Sequence, residues 1–186
     1  MRFLLREFDI NLWKEKAWAR YTRAQQSGTA TKKDETEWAL DVLAIGDLAS
    51  LVNWCKDHKL KVVFEKKSNG TYSQLDKQIT VSTHLSPRKQ VIVLLHECGH
   101  HLIGTQELNE RFTLGYCQTD PEIKKSFEHR LACLEEEIEA WHRGWKLACR
   151  LSLAVDRDSF DSYRVKCLKS YISWTMNPKK FKDLSE

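Results

Sequence analysis

The segment 86–104 constrains this chain more than any other. Ser86 and Pro87 form a helix start, a hydroxyl to cap the first turn and a proline whose fixed φ suits the first helical position. Val91, Leu94, Leu95, Cys98 and Leu102 recur at helical spacing, and Gly104 is a natural stop. Into this apolar helix are set His96, Glu97 and His100. Burying such groups costs on the order of several kcal/mol without partners. A fold that accepts this helix must therefore supply a partner for them.

His96-Glu97-Cys98-Gly99-His100 reads H-E-x-x-H. Residues at i and i+4 lie one turn apart on one helix face. Two imidazoles so placed can grip one Zn2+ at about 2.0–2.1 Å. Glu97 sits beside the first of them and can take a proton from water as general base. Gly99 leaves room for another element to approach. His101 points about a quarter-turn away and is expected at the surface.

A hydrolytic zinc site needs a third protein ligand and one open position. The metzincin extension is absent, because Ile103 and Gln106 stand where glycine and histidine are required. The stretch 131–141 supplies glutamates instead. Glu137 borders the apolar stripe of Leu131, Leu134, Ile138, Trp141, Trp145 and Ala148, and Gly144 on that side permits close packing against the motif helix. Glu135 flanks the other edge and is the alternative ligand. Glu136 and Glu139 are expected on a solvated face.

Around this core the chain reads as α+β, mostly helical, with a small two- to three-stranded sheet beside the motif helix. Asp9 can cap a first helix through Trp13 and Tyr21, and residues 27–31 break it. A second helix starts near Asp34 or Thr36 and carries Trp38, Val42, Ile45, Leu48, Val52 and Cys55. Leu60, Val62 and Phe64 then alternate as a strand; Ser68-Asn69-Gly70 is a turn; residues 78–83 are a second strand, suited to pairing with an extended peptide. Asp120-Pro121-Glu122 repeats the helix-start signal for a helix reaching Leu151, and a last helix spans 159–176. The 186 residues fit one domain, with N-terminal helices over 1–59, a zinc-binding core over 60–151 and a C-terminal helix within 152–186.

A formal charge of +4 neither requires nor excludes nucleic acid. Six cysteines without a C-x-x-C pair fit reduced, buried thiols in a cytoplasmic protein. No apolar run approaches the roughly 20 residues of a membrane span, and the first residues lack a signal-peptide pattern. Trp13, Trp18, Trp38, Trp54, Trp145 and Trp174 are expected as core anchors.

The run from Ser86 to Leu102, with the later Glu137-Ile138-Glu139-Ala140-Trp141, resembles the ImmA/IrrE-type zinc metallopeptidases over roughly residues 60–150. There a β-hairpin leads into H-E-x-G-H, and the first glutamate of an E-x-E-A-N element is the third metal ligand. The resemblance implies a minimal zincin-like fold, Zn2+ on His96, His100 and Glu137, and Glu97 as catalytic base. It also implies a narrow-specificity regulatory endopeptidase acting on a protein such as a DNA-binding repressor. Trp141 departs from the family's asparagine, which leaves a ligand histidine to be oriented by something else, such as His142 or a backbone carbonyl. No helix-turn-helix stands in the first sixty residues. Tyr72, His84, Tyr116 and His142 are the candidate transition-state donors. The rival readings are a non-catalytic metallopeptidase-like regulator that binds a protein or DNA partner, and a helical protein with a chance motif.

Overall fold

A computed structural model describes residues 10–28, 31–66, 70–104, 112–116 and 118–178. The expected Asp9 cap and the Ser68-Asn69 part of the turn lie outside the described residues. Among the described residues the helices are, in chain order, α1 (Ile10–Gln26), α2 (Lys32–Asp57), α3 (Pro87–Gly104), α4 (Pro121–Lys124), α5 (Phe127–Arg150) and α6 (Arg157–Met176). Three strands, β1 (Lys61–Glu65), β2 (Thr71–Ser73) and β3 (Gln78–Ser82), precede α3.

The sheet has the order β1-β3-β2. β1 runs parallel to β3, with Val63 opposite Thr80, and β2 runs antiparallel to it, with Tyr72 opposite Ile79. β3 is therefore the central strand, with both edges paired. That corrects the expectation that it would pair with an extended peptide. The edge positions belong to β1 and to β2, the latter a three-residue strand too short to carry an alternation signal.

α3 is the central helix. Its buried residues form a near-continuous run from Gln90 to Leu95, followed by Glu97, Cys98, Gly99, His101 and Ile103. Gln90 Nε2 donates to the Ser82 carbonyl at 2.9 Å, which ties the helix to β3. On one side α2 packs with Ile45, Leu48, Leu51 and Cys55 fully buried. Cys55 and Cys98 bring free thiols to 3.5 Å there, and Arg88 pairs with Asp41 at 3.1 Å. Among the described residues, Glu35–Asp57 of α2 is long and apolar enough by length and composition to cross a membrane. This corrects the reading that no run approaches that length.

On the other side lies α5. A Cβ on Gly99 would strike the Ala140 carbonyl oxygen, and one on Gly144 would sit 2.6 Å from that of Leu95. The two glycines let the backbones touch. The expected stripe on α5 is rotated from the true buried face. Leu131 and Ile138 are exposed, while His129, Cys133, Glu136, Glu137, Ala140 and Trp141 are buried. The start signal at 120–122 opens only the single turn of α4; Ser126 caps α5, its side chain accepting from His129 N at 3.0 Å. α6 begins two residues earlier than expected, at a cap from Asp156. Its Phe160 packs edge-on against Trp141 at 5.4 Å. Of the six tryptophans expected as core anchors, Trp54 is buried and Trp18 is exposed, edge-on to Trp38 at 5.5 Å.

Gly99→Ala and Gly144→Ala should each lose about 1–3 kcal/mol in urea unfolding, the range for overpacking a tight contact. Gly46→Ala, where an added methyl meets nothing within 4 Å, should hold or gain about 0.5–1 kcal/mol. Equal behaviour of the three variants would contradict the close contact.

Candidate metal centre

α3 places His96 and His100 one turn apart, with their Nε2 atoms 3.2 Å from each other. α5 brings Glu137 opposite them. Its Oε2 lies 3.1 Å from His96 Nε2, and its Oε1 lies 3.2 Å from His100 Nε2. The Glu137 side chain is only 3% exposed. Among the described residues these three form a group able to hold a metal ion.

The donor set fits a small divalent cation. A tetrahedral ion with ligands at 2.0–2.1 Å separates its donor atoms by about 3.3 Å, close to the spacings here. Among the described residues, buried Glu137 Oε2 finds no hydrogen-bond donor, despite its nearness to His96. An orphaned carboxylate oxygen beside an imidazole nitrogen is costly without a cation. Glu135, the alternative ligand, is exposed and outside the group.

Charge is tightly coupled across the site. Burial opposes ionisation of Glu137, but His100 and His96 outweigh it and hold the carboxyl well below its ordinary range. Burial likewise opposes the charge on His100, and the Glu137 carboxylate overcomes it, raising the imidazole to about 9. Glu97 is buried beside them. Burial pushes its carboxyl up, with the two histidines pulling it back. A raised carboxyl suits a general base working near neutrality. A Cβ on Gly70 would strike Val93 Cγ1 and come within 3.0 Å of Glu97 Oε1, so the start of β2 lies directly over this residue.

The supporting contacts differ from expectation. Trp141 stacks flat on His96, with ring centroids 4.2 Å apart and planes at 20°. Among the described residues, His96 Nδ1 finds no hydrogen-bond partner. An indole face thus orients this imidazole in place of the polar contact or the His142 that sequence suggested; His142 is exposed. His101, expected at the surface, is buried, with Nδ1 3.0 Å from the Tyr72 hydroxyl. It turns away from the three donor atoms and is not among them.

A cleft of about 670 Å3 opens onto the group, lined by β2, α3, residues 112–116, α5 and α6. Of the candidate donors, Tyr72 and Tyr116 line it, whereas His84 and His142 do not. Tyr116 donates its hydroxyl to Glu137 Oε1 at 2.9 Å. Two cleft residues were not anticipated. Tyr171 of α6 lines the cleft with Tyr116 and Glu137, and burial together with the Glu137 charge pushes its phenol up. Glu136, expected on a solvated face, is buried and accepts from Tyr116 N at 3.1 Å. Its adjacency to Glu137 was the available signal; nothing in the spacing of α6 pointed Tyr171 toward the motif.

The chain matches no protein-family model, no curated protein and no solved structure.

Below about pH 9 the metal-free site holds a proton on His100. An entering ion must expel it, so affinity for a divalent metal should rise by about tenfold per pH unit across the neutral range. Competition titration against a chromophoric chelator measures this, and a pH-independent affinity would contradict the proton on His100.

Proposed function

We propose that this chain is a zinc-dependent endopeptidase. The observation that carries the reading is the convergence of His96, His100 and Glu137 at 3.1–3.2 Å spacings, with Glu97 buried beside them at the floor of a cleft. Two imidazoles and one carboxylate are a donor set suited to catalytic zinc, and it leaves a coordination position for substrate. His101 faces Tyr72 and Cys98 faces Cys55, so neither closes that position. This favours an enzyme over a non-catalytic regulator with a sealed site.

Bound zinc would supply Lewis-acid polarisation of the scissile carbonyl. Glu97 takes the proton from the attacking water and returns it to the leaving amine. Its raised carboxyl matches both halves of that task. Tyr116 holds Glu137 in place, and Tyr116 and Tyr171 stand in the cleft as donors to the developing oxyanion. An extended peptide lies along the edge strand β2, whose Gly70, Thr71 and Tyr72 line the same cleft. The resemblance to ImmA/IrrE-type peptidases supports a protein substrate, such as a DNA-binding regulator, cut at few positions.

Glu97→Gln should keep stoichiometric zinc and lower cleavage by on the order of 100-fold or more. His96→Ala and Glu137→Ala should lose the metal as well. Metal content by atomic emission, with mass-spectrometric cleavage of a peptide library, reads both effects. Full cleavage by Glu97→Gln, or none by the zinc-loaded parent, would overturn the peptidase reading.

A further inference from the structure

The cleft contains one acidic group that the metal centre does not use. Glu136 is 8% exposed and stands outside the three-residue donor group. Its Oε2 is fixed by the Tyr116 backbone N–H at 3.1 Å. Gly115 permits this approach, because a Cβ there would strike that same oxygen. Among the described residues, Oε1 meets no donor, and the side chain lines the cleft. No lysine or arginine is among the described residues that line it. The imidazoles of His100 and His129 act on this carboxyl through space, while its second oxygen stays open to a further donor.

We propose that Glu136 is a specificity-determining residue that accepts a cationic nitrogen of the bound peptide, in first place the ammonium of a lysine flanking the scissile bond. The single free oxygen presents a point charge, which suits an ammonium, whereas a bidentate guanidinium prefers both oxygens unoccupied. Ile103 and Phe112 on the cleft wall give the lysine methylenes an apolar path to that oxygen. A peptide α-ammonium offers the same chemistry and is the other source. This inference rests on the peptidase reading and deepens it by naming a substrate class.

The test uses zinc-loaded Glu97→Gln protein, which binds without turnover. Its probes are alanine-based hexapeptides with lysine or its neutral isostere norleucine at successive positions. Each is prepared with a free and with an acetylated N-terminus. Isothermal titration should show a lysine position bound at least about tenfold more tightly than norleucine, as expected for a hydrogen bond to a charged group. Adding Glu136→Gln, which keeps an acceptor for the Tyr116 N–H, should bring the ratio close to one without loss of zinc. Discrimination that follows the free N-terminus and disappears with Glu136→Gln assigns the α-ammonium as the source. Equal binding of lysine and norleucine peptides whatever the N-terminus, absence of binding to both included, overturns the proposal. So does discrimination that survives Glu136→Gln. Cleavage by the parent protein reads separately. A parent that cuts lysine and norleucine peptides equally retains the peptidase reading and loses this inference.

Discussion

The backbone contact between α3 and α5 is the constraint on which the rest depends. Glu137 meets two histidines because Gly99 and Gly144 let the helices approach until side-chain-sized gaps vanish. The glycine positions are interleaved with the donors, Gly99 between His96 and His100, and Gly144 two turns after Glu137. Any residue with a Cβ would force the helices apart at the level where three ligand atoms must stay within 4.8 Å of one another. Close packing here sets a distance for chemistry as well as burying surface.

A second consequence is electrostatic. The same contact removes water from Glu137 and Glu97, so each responds strongly to its neighbours. One carboxyl is driven down by facing imidazoles, while the other is driven up by burial. Two carboxylates on adjoining helices thus take opposite roles, one held ionised as a ligand and one poised to carry a proton. The difference comes from position, since the residue type is the same.

Much of this was legible in the chain. The cap and proline at 86–87, the H-E-x-x-H spacing and the glutamate at 137 placed the helix and its partner, and the alternation at 60–64 and 78–83 placed two of the three strands. What failed did so for a common reason. Apolar periodicity on α5 pointed to Leu131 and Ile138, yet the buried face carries His129, Glu136 and Glu137. A helix that buries polar groups for a site violates the pattern by which buried faces are recognised. His101 was misplaced the same way, since its Tyr72 partner comes from a strand too short to read. Tyr171 was invisible because its contacts span long sequence distances, which no local spacing encodes.

Tyr171 also bears on when the cleft exists. The cleft's walls come from β2, α3, residues 112–116, α5 and finally α6, which is anchored by Phe160 against Trp141. During synthesis the motif helix emerges long before its last wall. A nascent polypeptide still awaiting α6 has the two imidazoles and Tyr116 but lacks Tyr171 on the cleft wall. Assembly order on the ribosome thereby withholds a finished cleft until the sixth helix has docked.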